Sequence, residues 1–227
     1  MAGSKRSVNR FYLLIGVLIV MGAAALIYLG QRGSAMPIPV AVTISPSDTA
    51  GFRGYVLGSA EAPVEVIEWA DYQCPACQTF DMVEFPYVRD RLIATGRVRY
   101  VYRDFPLDQH PMSRLAAHAA ACADDQGKFW EVHEAIYRTQ NEWAFASASR
   151  AGGTFRGLTE QSGAEMGLWD ECMKSLRYAG RIQATLEQGL RVGVSSTPSF
   201  LIGGGLYAGV IAYDRLRALV DSLSPTP

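Results

Sequence analysis

The sequence predicts a single α/β core behind an apolar N-terminal segment. Two observations predict this fold class. Residues 64–102 have the pattern of a strand, a helix and a second strand, and residues 198–223 have that of a hairpin followed by a helix. Between these halves, residues 113–192 show the three-to-four spacing of apolar side chains that is typical of helices. We therefore expect a βαβ half and a ββα half, separated by an all-helical insertion at about 111–192.

Short local patterns justify each element. Residues 64–69 form a β-branched run that is typical of a buried strand, and residues 98–102 form a second one. The helix between them should begin at Cys74 and end at Thr95, with a break or kink at Pro86. A helical crossover between two strands predicts that they run parallel. Further helices are predicted over 113–125, 128–139, 160–167, 168–190 (in two pieces) and 213–223, and a Gly-Gly-Gly turn joins strands 199–202 and 206–208.

The N-terminal segment has the composition of a membrane anchor. Residues 11–30 are an uncharged run of 20 residues, which as a helix would be about 30 Å long and match the hydrocarbon core of a bilayer. Lys5, Arg6 and Arg10 precede it, so the positive-inside bias keeps the N-terminus in the cytoplasm and exports the rest of the chain. We expect one uncleaved transmembrane helix within residues 1–33. A cleaved signal peptide is the alternative, and it would export the domain too.

The remaining domain organisation follows from proline content and charge. Residues 34–50 contain three prolines and predict an extended, semi-rigid linker that does not pack, followed by the α/β domain at 51–227. The chain has 21 basic and 22 acidic side chains and a formal net charge of −1. Proteins that bind nucleic acid usually carry a basic excess, so this balance excludes that class of partner.

The chemistry is expected at Cys74 and Cys77, which have two residues between them at a strand-to-helix junction. At a helix N-terminus, unpaired N–H groups and the helix dipole stabilise the Cys74 thiolate. Cys77 lies about one turn later and can attack a mixed disulfide formed at Cys74. The pattern indicates thiol–disulfide exchange, which needs no metal and no organic cofactor. A purely structural disulfide is an alternative, whereas a zinc site would need a second pair of ligands.

Three further residues have candidate roles. Glu68 falls in an otherwise apolar strand, where burial would raise the pKa of its carboxyl and let it relay a proton to or from Cys77. The alternative is that Glu68 points to solvent at the strand end. In an exported domain we expect a disulfide between Cys122 and Cys172, with two buried free thiols as the alternative.

Several segments together resemble the DsbA-like branch of the thioredoxin superfamily. The resemblance keeps its order over about residues 54–223 and is carried by residues 68–77 (EWADYQCPAC), 100–107 (YVYRDFPL), 126–130 (QGKFW) and 197–200 (TPSF). It implies a thioredoxin fold with the helical insertion, preceded here by the transmembrane helix.

The same resemblance implies roles for individual residues. Cys74 is the nucleophile and Cys77 the resolving cysteine. A cis Pro198 lies against this pair, with the Thr197 backbone bonding an extended substrate. Glu68 occupies the position of a buried acid, and some exported relatives have an extra cysteine pair in the insertion, which supports Cys122–Cys172.

The resemblance also implies a function. We expect a membrane-tethered oxidoreductase of the bacterial cytoplasmic membrane, with its catalytic domain in the periplasm, that introduces disulfides into exported proteins with free thiols. Its reoxidant would be a membrane protein of the DsbB or VKOR kind. A reductase or isomerase of the same fold, or a non-catalytic binding module, is the alternative. Ala76 stands where strongly oxidising members have His, so a less oxidising potential is expected.

Overall fold

The computed structural model describes residues 4–31, 36–40 and 42–224, and the chain divides into two units, Met1–Ala35 and Met36–Pro227. The first unit contains one long helix, α1 (Ser4–Gln31), whose described apolar side chains are exposed. Across the described ranges, none of the helices combines the length and the apolar character needed to cross a membrane. The transmembrane helix predicted at residues 11–30 is therefore not borne out by the structure. Residues 34, 35 and 41 of the predicted linker lie outside the described residues.

The second unit is built on a five-stranded sheet. Its strands are β1 (Tyr55–Leu57), β2 (Val64–Ala70), β3 (Val98–Asp104), β4 (Ser199–Ile202) and β5 (Gly205–Ala208), and they lie in the order β1-β3-β2-β4-β5. β2 and β3 are parallel, as the crossover predicts, and the other neighbours are antiparallel. The edge strand β1 is absent from the sequence-based expectation because three residues give too short a pattern.

The crossover between β2 and β3 is helical throughout. It comprises α3 (Pro75–Thr79), a π-helical stretch (Phe80–Glu84), α4 (Phe85–Val88) and a second π-helical stretch (Arg89–Ile93). Pro86 lies in the first turn of α4, where its missing N–H and fixed φ cost little. The hydrogen-bond pattern therefore changes from π-helical to α-helical just before Pro86, and the helix continues past the proline.

The insertion contains six helices between β3 and β4. They are α5 (Ser113–Asp124), α6 (Phe129–Arg138), α7 (Gln140–Trp143), α8 (Ala148–Gln161), α9 (Met166–Ser175) and α10 (Ala179–Arg191), and α11 (Tyr213–Leu223) follows the hairpin. The helix predicted at 160–167 is wrong. Gly163 has a φ of +79° there, a left-handed conformation that ends α8 and separates it from α9.

The predicted linker is also corrected by the structure, because its described part packs on the domain. Pro39 is buried, and Met36 and Ile38 pack against the core. A Cβ atom at Gly152 of α8 would lie 3.3 Å from the Met36 Sδ atom, so the glycine makes room for the methionine. A short helix, α2 (Pro46–Thr49), follows. The prolines therefore shape a packed segment, not a free spacer.

The alternation of side chains along β2 places one carboxylate in the core. Val64, Val66 and Glu68 point to the same face of the sheet, since successive side chains of a strand alternate. That face is covered by the main hydrophobic core, whereas Trp69 points to a smaller cluster on the other face with Phe105.

Candidate active site

The site lies where β2 ends and the crossover helix begins. After Ala70 a tight turn leads to Cys74, whose N–H group donates to the Asp71 carbonyl at 3.0 Å. Cys74 is the N-cap residue of α3 with φ −73° and ψ 123°, and Pro75 occupies the first helical turn. This local sequence therefore directs the Cys74 sulfur toward the unpaired N–H groups of the helix, as the spacing predicts.

Neither Cys74 nor Cys77 is in a disulfide in this structure, and the two sulfurs differ in acidity. A hydrogen bond from the Cys77 thiol, assisted by Thr197 and by the N–H groups of Cys77 and Ala76, lowers the pKa of Cys74 to about 5, although burial opposes the shift. Cys74 is thus a thiolate at neutral pH, which is the nucleophilic form.

Cys77 has the opposite environment. Its side chain is 1% exposed, and burial, followed by the hydrogen bond to Cys74, raises its pKa well above the ordinary value. The Asp71 N–H group lies 3.4 Å from the Cys77 sulfur. Cys77 therefore remains a neutral thiol when Cys74 is ionised.

Thr197 lies against Cys74, and Pro198 follows it in the chain. The Thr197–Pro198 peptide bond is cis, and the Thr197 carbonyl oxygen lies 3.4 Å from the Cys74 sulfur. The structure therefore brings together Cys74, Cys77 and the turn before β4, although 123 positions separate Cys74 from Thr197.

Glu68 lies in the core below the pair and is 4% exposed, so the solvent-facing alternative does not apply. Burial raises the pKa of its carboxyl to about 8, while a hydrogen bond from the Tyr100 hydroxyl to Glu68 acts in the opposite direction. The negative charges of Asp81 and Cys74 raise it further. Glu68 is consequently protonated at neutral pH and can act as a proton donor.

Comparison with known proteins agrees with this geometry. A family model described as Thioredoxin matches residues 52–222. The chain belongs to the thioredoxin family.

The proteins similar to this thioredoxin-family chain include two relatives and one solved structure. A Salinispora tropica protein named Na(+)/H(+) antiporter NhaA 3 is 36% identical over 171 residues, which are 75% of this chain but only 24% of that relative. Disulfide bond formation protein D of Bacillus subtilis is 24% identical over 172 residues, covering 73% and 75% of the two chains. The oxidised structure of BdbD from Bacillus subtilis matches with a TM-score of 0.67 and 22% identity, over 81% of this chain and 97% of BdbD.

The match to BdbD shows that the two chains share the same fold.

The turn before Cys74 in this thioredoxin-family domain is held by two glutamines that no local sequence pattern predicts. The Gln140 side chain, at the start of α7, donates to the carbonyl oxygens of Tyr72 at 2.7 Å and of Cys74 at 3.1 Å. The Gln73 side chain donates to the Ala144 carbonyl at 2.6 Å. The helical insertion therefore fixes the backbone around Cys74. Gln140 lies 66 positions beyond Cys74, so no local pattern reveals it.

Asp71 and His110 form a hydrogen-bonded pair that the sequence analysis did not predict. Asp71 Oδ1 accepts from the Gln73 N–H group at 2.7 Å, and Oδ2 lies 2.8 Å from His110 Nδ1. One signal would have found this pair: Asp71 follows β2 and His110 follows β3, and the loops after neighbouring parallel strands meet at one edge of the sheet.

A buried chain of polar groups extends behind the crossover helix. The Tyr72 hydroxyl lies 2.8 Å from His133 Nδ1, and His133 Nε2 lies 3.0 Å from Asp81 Oδ1. Asp81 and His133 line a cavity of about 160 Å³ together with apolar groups such as Trp130. This series of hydrogen-bonded side chains connects the turn before Cys74 with the insertion.

The remaining two cysteines lie in the insertion, away from this turn. Cys122 of α5 and Cys172 of α9 form a disulfide, with 5.8 Å between their Cα atoms. His118 Nε2 lies 3.7 Å from the Cys122 sulfur, and these three residues could hold a metal ion by their spacing. Because both sulfurs are bonded to each other, neither is available as a thiolate ligand.

Proposed function

We propose that this protein is a thiol–disulfide oxidoreductase that introduces disulfides into other proteins. One observation carries the proposal: two neighbouring cysteines of opposite acidity, with the pKa of Cys74 lowered to about 5 and that of Cys77 raised. A stabilised Cys74 thiolate stabilises the reduced form, so the Cys74–Cys77 disulfide is a stronger oxidant. The name of its Bacillus subtilis relative, disulfide bond formation protein D, supports the same direction of electron flow.

The reaction proceeds through one mixed disulfide. A substrate thiolate attacks the Cys74 sulfur of the Cys74–Cys77 disulfide, so that a substrate–Cys74 bond forms and the Cys77 thiolate leaves. A second substrate thiolate then attacks the substrate sulfur of the mixed disulfide and expels the Cys74 thiolate. Two electrons pass from the substrate to the enzyme, which ends as the Cys74 thiolate and the Cys77 thiol. The acidity of Cys74 makes it the better leaving group in the second step.

Glu68 supplies the proton in this scheme. When the Cys77 thiolate leaves, it lies in a buried environment that disfavours its charge. Protonated Glu68, which interacts electrostatically with Cys77, provides a proton to the sulfur and recovers it during reoxidation. The Thr197 carbonyl borders the Cys74 sulfur, and the Thr197 backbone, with the cis Pro198 after it, would position an extended substrate segment by hydrogen bonds.

Matched serine substitutions test the cysteine roles. Cys77→Ser, with Cys74 first converted to a mixed disulfide with glutathione, should exchange with a substrate protein that has one free thiol: a Cys74–substrate disulfide forms, glutathione leaves, and the product persists because the resolving thiol is absent. Cys74→Ser should form none and should abolish oxidative refolding of that substrate. Gel analysis without reductant and mass spectrometry would detect the trapped species. Equal activity of the wild type and the Cys74→Ser variant would instead indicate a binding module without catalysis.

The reduction potential separates an oxidase from a reductase. Equilibration with glutathione buffers should give about −120 to −180 mV for the Cys74–Cys77 pair. A value near about −270 mV would contradict the oxidase proposal and indicate a reductase of the same fold.

The proposal includes a location and partners. Exported proteins with free thiols would be the substrates, and a membrane protein of the DsbB or VKOR kind would reoxidise the enzyme. Support comes from the Cys122–Cys172 disulfide, which is typical of oxidising compartments, and from the uncharged run at 11–30 that follows three basic residues. This run would anchor the domain in the bacterial cytoplasmic membrane, facing the periplasm.

Protease treatment tests the location. A tag at the C-terminus should be digested when protease is added to spheroplasts, and the protein should stay with carbonate-washed membranes. A protected tag would contradict export, whereas a soluble periplasmic product with a shortened N-terminus would contradict the anchor alone.

A further inference from the structure

The loop after β3 is fastened to the turn that carries the nucleophile. Three hydrogen bonds join them: Asp71 Oδ2 accepts from the Leu107 N–H group at 2.7 Å and from His110 Nδ1 at 2.8 Å, and Gln73 Oε1 accepts from the Met112 N–H group at 2.7 Å. Both ends of the loop are therefore fixed, and His110 is held between them.

His110 has the properties of a group that can carry charge in this position. Its side chain is 18% exposed, so it can exchange protons with solvent, while its partner Asp71 is fully buried. The hydrogen bond to Asp71 raises the pKa of His110, although partial burial opposes the shift. Asp71 and the Cys74 thiolate are the charged groups that act on it, and both favour the imidazolium.

The interaction between two titrating groups is reciprocal. A thiolate at Cys74 that favours protonation of His110 is itself favoured, to the same extent, by the protonated ring. The two residues between the cysteines, Pro75 and Ala76, carry no charge. A positive charge near the thiolate can therefore come only from another segment, and the loop after β3 offers one.

We propose that His110 is the electrostatic partner of Cys74: Asp71 holds the ring, and its imidazolium stabilises the thiolate. The inference rests on the proposed function, in which Cys74 is the nucleophile. His110 does not touch the reacting sulfur by any hydrogen bond in the structure, so it is a positioning and charge-supplying residue. Its effect adds to those of Cys77 and of the helix N–H groups.

The size and sign of the effect follow from this arrangement. A partly exposed charge pair changes an equilibrium by about two- to fivefold. Loss of the imidazolium should therefore raise the pKa of Cys74 and make the potential of the cysteine pair more negative by about 10–20 mV, since a tenfold change corresponds to about 30 mV. The effect should vanish at a pH high enough to deprotonate His110.

The wild-type protein gives the most direct test. The chain has three histidines, and His110 can be assigned by NMR from the signal that His110→Gln removes. Its pKa should be higher in the reduced protein, where Cys74 is a thiolate, than in the oxidised protein, where the disulfide is neutral. The same His110 pKa in both redox forms would overturn the proposal, and this readout needs neither a substrate nor oxidase activity.

Substitutions extend the test to Cys74. His110→Gln keeps a hydrogen-bond donor for Asp71 but cannot become charged, and it should raise the Cys74 pKa measured by thiolate absorbance. Asp108→Asn is the control: it removes an exposed charge from the same loop and should not raise that pKa. If His110→Gln leaves the Cys74 pKa and the potential unchanged, the proposal fails. If the variant shifts both but the wild type does not oxidise substrates, only the proposed function fails.

Discussion

At the scale of single residues, the site depends on three buried or half-buried groups whose pKa values differ. Cys74 is ionised at neutral pH, whereas Cys77 and Glu68 are protonated, each because of its own surroundings. Exchange requires a proton to reach the Cys77 sulfur when it leaves and to depart when it attacks. Glu68 is the nearby acid whose pKa of about 8 suits both transfers.

Glu68→Gln tests whether Glu68 exchanges a proton with Cys77. In the wild type, the rate at which Cys77 resolves a mixed disulfide should rise with pH through about 8, because ionised Glu68 accepts the Cys77 proton. Glu68→Gln should slow this step about tenfold or more and remove the inflection. Stopped-flow kinetics on a Cys74–glutathione mixed disulfide would measure it.

Tyr100→Phe is the matched control for that experiment. The Tyr100 hydrogen bond lowers the pKa of Glu68, so its loss should move the inflection to higher pH without removing it. An unchanged pH profile in Glu68→Gln would contradict the relay and leave Glu68 with a role in packing only.

At the scale of elements, the local sequence pattern was sufficient to predict the bounds of a helix or strand where its apolar period was regular. The predicted bounds of β2, β3, the hairpin and α11 agree closely with the structure, because each has a regular apolar period and a clear end signal. Residues 148–159, which are nearly all of α8, were missed since they contain Gly152, Gly153 and Gly157, which weaken any helical pattern. A Cβ atom at Gly152 would crowd Met36, and that contact is visible only in the folded chain.

The site also divides into residues whose roles local sequence predicts and contacts that form only in the folded chain. Cys74, Cys77 and Glu68 lie within ten positions of one another, so the chemistry of each could be inferred from its neighbours. Their supporting contacts join distant segments: 39 positions separate Asp71 from His110, and 52 separate Asp81 from His133. Sheet topology would have brought the first pair together, but nothing in the sequence pattern indicates the second.

At the scale of the whole molecule, burying carboxyl groups links stability to pH. Asp104, at the end of β3, is 1% exposed, and neither carboxylate oxygen has a hydrogen-bond partner among the described residues. Burial raises its pKa to about 8, and Glu68 has a similarly raised value. Both groups are therefore protonated in the folded chain at a pH where the unfolded chain has them ionised.

The folded protein then binds more protons than the unfolded one between about pH 4 and pH 8, so its stability should fall as pH rises through this window. Each group contributes a slope of up to about 1.4 kcal/mol per pH unit.

Asp104→Asn removes one titration and should flatten the dependence of stability on pH, while the exposed-site variant Asp108→Asn should retain the wild-type slope. Urea unfolding at several pH values, with Cys74 and Cys77 oxidised so that they do not titrate, measures both. Parallel curves for Asp104→Asn and the wild type would show that Asp104 is already ionised in the fold. The raised pKa of Asp104 would then be wrong, since its burial would no longer keep the carboxyl neutral.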